Sequence, residues 1–125
     1  MTGYSLIFCV SLTAVDGDTV RCDGELLRLL GPGQPYVSGF DTPELYGPKD
    51  CPEELEAARA ARDRLSELLT TPGLMVLGSG EVDATQARRR LVWVVLPDGR
   101  TAGQVLLEEG HARVWTPDYE ADWCR

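Results

Sequence analysis

The stretch DGDTVRCDGELLRLL, Asp16 to Leu30, decides the fold. It holds two Asp-Gly pairs, Asp16-Gly17 and Asp23-Gly24. Gly permits positive φ, and Asp tolerates it or bonds its own backbone, so both pairs carry turn chemistry. Thr19-Val20-Arg21-Cys22 and Glu25 to Leu30 then read as successive strands. Upstream, Tyr4 to Val15 is rich in Leu, Ile, Phe, Val and Thr, which predicts a strand leading into the first turn. The N-terminal MTGYSLIFCVSLTA looks like a signal peptide at first sight. It lacks a basic n-region and runs straight into a turn, so it reads as part of this strand. Together these segments form a three-strand meander.

Downstream, Gly31-Pro32-Gly33-Gln34-Pro35 breaks the pattern, and irregular sequence continues to Pro52. A loop this long inside a small domain tends to be functional or disordered. The one clear helix opens at Pro52 with Cys51 as N-cap. Glu53, Glu54 and Glu56 complement its macrodipole, and Leu55, Ala58, Leu65, Leu68 and Leu69 share one face. Thr71-Pro72-Gly73 ends it. Leu74 to Leu77 predicts a fourth strand, and LVWVVL, Leu91 to Leu96, a fifth and buried one. After the turn Pro97 to Arg100, Ala102 to Glu109 predicts a short helix closed by Gly110. The tail from His111 shows no regular period. The expected class is α+β, mainly β, in one domain over residues 1–125. This order suits a five-stranded OB-type barrel, with its main helix between strands 3 and 4 and a short helix after strand 5. Fold alone assigns no function.

The chain has 125 residues, 12 Lys+Arg against 20 Asp+Glu, and a formal charge of −8. That balance argues against a protein that grips nucleic acid by bulk electrostatics. Lys49 is the only lysine; the other cations are Arg, the better residue for bidentate phosphate contacts. A hydrophobic content of 43% excludes a disordered chain. No run approaches the length of a membrane span. Cys9, Cys22, Cys51 and Cys124 include no CxxC pair and His111 is the lone histidine, so a structural zinc site is not expected. Four cysteines allow three pairings, and four buried thiols is the plainer reading.

Four short segments carry the chemistry: Asp16-Gly17-Asp18-Thr19, Arg28-Leu29-Leu30-Gly31, Asp41-Thr42-Pro43-Glu44 and Arg88-Arg89-Arg90-Leu91. Taken singly each is ordinary: a turn, a solvated strand residue, a helix start, a charged patch. In this order, with CPEELEAA at Cys51 to Ala58 and PDGR at Pro97 to Arg100, the set resembles the staphylococcal thermonuclease family. The resemblance runs from about Phe8 to Trp115. It implies an active nuclease-like OB-fold. Asp18 and Asp41 would hold Ca²⁺ by carboxylate and Thr42 by its backbone carbonyl, an all-oxygen set suited to calcium. Glu44 would orient the attacking water, as general base. Arg28 and Arg89 would grip the scissile phosphate. The substrate would be single-stranded or unwound DNA or RNA, cleaved to 3′-phosphate products by a monomer with no membrane partner.

Three departures stand beside the resemblance. Residues 29–40 separate Arg28 from Asp41, so GPGQPYVSG must loop out, displace the site or form a lid. Ala87 and Arg88 replace the family's Tyr-Gly, leaving Arg88 or Arg90 as stand-ins for Arg89; spacing to Leu91 favours Arg89. The family's base-stacking tyrosines have no clear match, which leaves Arg88, Trp115 and Tyr119 as candidate substrate contacts. The cysteines fit the same layout. Cys9 and Cys22 lie on the arms of the first hairpin, Cys51 opens the helix and Cys124 ends the tail, so Cys9–Cys22 and Cys51–Cys124 are the expected pairs. Paired cysteines would indicate an exported or periplasmic protein whose signal has been removed, and free thiols a cytoplasmic one. The competing functional reading is a catalytically inactive barrel serving as a binding module.

Overall fold

In the computed structural model, which describes residues 4–124, the Asp23-Gly24 turn does what its chemistry requires. Both residues have positive φ, 49° and 92°. That is the two-residue hairpin geometry whose twist matches the flanking strands. It joins β3 (Thr19–Cys22) to β4 (Glu25–Leu29) in antiparallel register, with Thr19 opposite Arg28.

The expected first strand is two strands. β1 (Ser5–Ile7) pairs with β6 (Met75–Val82), and β2 (Leu12–Ala14) pairs with β3. The six-stranded sheet runs β1-β6-β7-β4-β3-β2, where β7 is Arg90–Val95. Its two outer strands are therefore neighbours in sequence, joined only by residues 8–11. A sheet can have this order only if it curls until its edges approach, giving a small barrel-like α+β fold. The joint is fixed from outside. Asp23 accepts from the backbone N–H of Val10 and Ser11 at 3.1 and 2.7 Å, and Cys9 is disulfide-bonded to Cys22.

Two further corrections concern segments expected to be irregular. Gly39–Asp41 forms β5 and Arg113–Trp115 forms β8, and the two pair antiparallel as a separate ribbon. The fourth strand also runs on to Val82, past a register shift between Gly78 and Val82. β7 alternates between two clusters. Val92 and Val94 enter the main core with Val20, Leu27 and Phe40, while Leu91 and Trp93 face outward with Leu30. The Gly31 to Ser38 insert covers that outer face: Gly33 O accepts from the buried Trp93 indole at 3.0 Å, and the Tyr36 hydroxyl donates to Val82 O. α1 (Pro52–Leu68) starts at Cys51 and Pro52 as expected and buries Ala58, Ala61, Leu65 and Leu68. α2 (Ala102–Glu108) is capped by Thr101, whose hydroxyl accepts from Gln104 N, and Gly110 takes φ 82° just past its end. Among the described residues no helix is long and apolar enough to cross a membrane.

Candidate active site

The Asp16–Thr19 turn is built from its own side chains. Asp16 Oδ1 accepts from Asp18 N at 3.1 Å, and Thr19 O accepts from Val15 N at 2.9 Å. Gly17 sits flush against the next segment: a Cβ there would lie 2.6 Å from Thr42 Oγ1 and 2.8 Å from Ala61 Cβ. The turn is thereby pressed onto the loop after β5 and onto α1. Asp18, only 4% exposed, becomes the hub. Its Oδ2 takes an ion pair from Arg28 Nη1 at 2.7 Å and a hydrogen bond from Thr42 N at 3.3 Å, and its Oδ1 accepts from the Thr19 hydroxyl at 3.2 Å.

Arg28 stands across the hairpin from this turn because of the Thr19–Arg28 register. Its other arm, Nη2, donates to Phe40 O at 2.7 Å, one residue before Asp41. The insert therefore loops out and returns the chain to Arg28. Arg89 approaches from the other side. Its Nη1 donates to Thr19 Oγ1 at 3.0 Å and its Nε bonds Asp83 Oδ2 at 2.7 Å. Arg28 and Arg89 line one cavity of about 120 Å³, with Tyr36 from the insert, Leu91 and Trp115.

The remaining candidates fall around this pair. Tyr119 donates its hydroxyl to Asp41 Oδ2 at 3.1 Å. Glu44 is exposed on the loop after β5, and its charge still acts on Asp41. Arg88 is exposed, with φ 47°, and does not line the cavity; Arg90 is engaged with Glu25 at 2.7 Å. Of the arginine triplet, Arg89 alone meets Arg28. Sequence reasoning missed Asp83, which orients Arg89 and is itself fixed by Thr85 N and Oγ1 at 3.1 and 2.6 Å. The signal was present in Asp83-Ala84-Thr85, a spacing at which Asp bonds the backbone two residues on.

The site carries more negative charge than its cations balance. Burial, then the neighbouring Asp18 charge, pushes the Asp16 carboxyl up to about 7. Burial and Asp18 also raise Asp41 above the usual carboxylate range, against the opposing pull of Arg28 and Tyr119. Tyr119 is pushed up to about 12 by burial and by Asp41, so it stays a proton donor. Hard oxygen donors with surplus negative charge fit a dication such as calcium. Among the described residues, the Thr42 hydroxyl is the one fully buried side-chain polar atom without a hydrogen-bond partner. No cluster of three His, Cys, Asp or Glu side chains is ready-made for a metal among the described residues, where Arg28 holds Asp18 instead. The chain matches no family model and no curated protein.

Proposed function

We propose that the protein is a Ca²⁺-dependent phosphodiesterase of the thermonuclease type, hydrolysing DNA or RNA strands to 3′-phosphate products. We further infer that its curled sheet is a five-stranded OB barrel, with β1 and β2 as the two halves of one bent strand. The observation that carries the activity is the meeting of Arg28 and Arg89 at one cavity beside the buried Asp18.

Asp18 and Asp41 would hold the ion by carboxylate and Thr42 by its carbonyl. Bound there, Ca²⁺ would supply Lewis-acid polarisation of a phosphate oxygen. Arg28 and Arg89 supply fixed guanidinium donors for the charge that builds on the phosphorus oxygens. Their present partners, Asp18, Phe40 O, Thr19 and Asp83, hold both side chains in place before substrate arrives. Glu44, on an exposed loop open to water, accepts the proton of the attacking water. The water oxygen bonds to phosphorus, the bond to the 5′-oxygen breaks, and that oxygen leaves with a proton from solvent. The 3′-oxygen keeps the phosphate.

The test is digestion of single-stranded DNA with Ca²⁺, with a chelator, and by Glu44→Gln. Cleavage should need Ca²⁺ and fall by about 10²- to 10⁴-fold in the variant. A second reading, a non-catalytic binding module, is favoured by the net charge of −8 and by the carboxylate partners that already engage both arginines. It predicts no cleavage at alkaline pH with ample Ca²⁺.

A further inference from the structure

Residues 116–124 form no helix or strand, yet they are fastened at several points. Cys124 is disulfide-bonded to Cys51, the N-cap of α1. Arg113 on β8 stacks its guanidinium 4.2 Å from the Trp123 ring and donates to Asp122 O. Tyr119 N bonds Thr116 O at 2.9 Å, closing a turn that presents the ring. From that turn the Tyr119 hydroxyl reaches Asp41 Oδ2, and it is the contact that joins this segment to the candidate site. The chain from Thr42 to Cys51, which carries Glu44 and follows directly on Asp41 at the end of β5, also lacks helix and strand. One covalent bond thus ties the segment that carries Tyr119 to the irregular stretch that follows Asp41, while Asp41 itself ends β5.

We propose that Tyr119 is a positioning residue that orients the Asp41 carboxylate toward a divalent cation, and that the Cys51–Cys124 disulfide is the clamp that keeps it there. The proposal rests on the reading of Asp18 and Asp41 as cation ligands. A carboxylate tied by one oxygen offers the other in a fixed direction. Tyr119 belongs to a segment with no ladder of its own, so its place depends on the anchors on either side: β8 before it and Cys124 after it. Opening the clamp takes an external dithiol. Two electrons and two protons pass from the dithiol to the Cys51 and Cys124 sulfurs, giving two thiols, and the dithiol becomes a disulfide.

The experiment is calorimetric Ca²⁺ titration of the intact oxidised protein, of Tyr119→Phe, and of Cys51→Ser/Cys124→Ser, each checked for folding by circular dichroism. Outer partners of metal ligands are commonly worth tenfold or more, so each variant should bind Ca²⁺ about tenfold more weakly. Combining the changes should add little to Tyr119→Phe alone, because both act through one contact. At saturating Ca²⁺ the KM of Tyr119→Phe for a single-stranded oligonucleotide should equal that of the parent; a hydroxyl that bonded the substrate directly would raise it. Unchanged Ca²⁺ affinity in Tyr119→Phe overturns the proposal, and so do fully additive losses in the triple variant. If the cysteine variant does not fold, Tyr119→Phe decides alone. If the parent binds no Ca²⁺, the cation-site reading fails with it, an outcome distinct from a parent that binds and a variant that binds equally.

Discussion

At Gly17 the backbone would accept any L-residue, since its φ lies outside the left-handed region, but the space would not. The position that an added methyl would take is already contacted by Thr42 and Ala61, and Ala61 has no far end to swing away. The clash has a chemical consequence, because Gly17 is the residue before Asp18, and Asp18 anchors Arg28, Thr19 and Thr42 N. Gly17→Ala should therefore destabilise the protein by about 1–3 kcal/mol, the usual penalty for an overfilled site. Urea unfolding measures it. On the proposed function, the same variant should cleave more slowly than its stability loss explains, since the forced shift falls on Asp18, the proposed ligand carboxylate. A variant as stable as the parent would mean that α1 yields at no cost, and the tight seating of the turn would then have no energetic role.

At the scale of elements, what was legible in the sequence was local. The β3–β4 hairpin follows from one Asp-Gly pair, and the start of α1 from Cys51-Pro52 and a helical apolar stripe. The hairpin register then places Arg28 beside Asp18 without further information. What could not be read depends on distant partners. β5 and β8 are three residues each, too short to show a period, and each exists because the other pairs with it. The break between β1 and β2 is set by which edge each half joins, and nothing in residues 8–11 announces it. Which of three consecutive arginines lines the cavity with Arg28 depends on Asp83 and Thr19, the distant partners that hold the Arg89 side chain. The insert is the element whose role changed most. It loops out from the sheet, packs over Trp93 and supplies Tyr36 to the arginine cavity. Trp93→Phe removes the indole donor and leaves Gly33 O without that partner, at a cost of about 1–3 kcal/mol. The loosened loop should also be cut faster by chymotrypsin after Tyr36. A cleavage rate equal to the parent's would show that the Trp93 bond does not hold the insert down.

For the whole molecule, the charge of −8 and the candidate phosphate site make opposite demands, and the placement of the arginines reconciles them. Arg90 is paired with Glu25, Arg64 with Glu109, Arg62 with Asp63 and Arg100 with Asp98 and Glu108. These cations are neutralised where they stand and make no basic track for a nucleic-acid backbone. Arg28 and Arg89 are also paired, but among the described residues they are the arginines that line the cavity. A strand gripped at one scissile phosphate by both guanidiniums releases few counterions. For single strands the salt slope is about −0.7 per neutralised phosphate, so log K against log salt should fall with a slope of about −0.7. Fluorescence anisotropy of a labelled single-stranded oligonucleotide, with Glu44→Gln to suppress cleavage and Ca²⁺ held in excess, measures it. Arg89→Ala in that background should weaken binding and make the slope shallower still, while a change at Arg90, which pairs outside the cavity, should leave it unaltered. A slope of about −4 or steeper would require several more phosphate contacts than these two guanidiniums can make, and the strand would then have to follow a surface other than the arginine cavity.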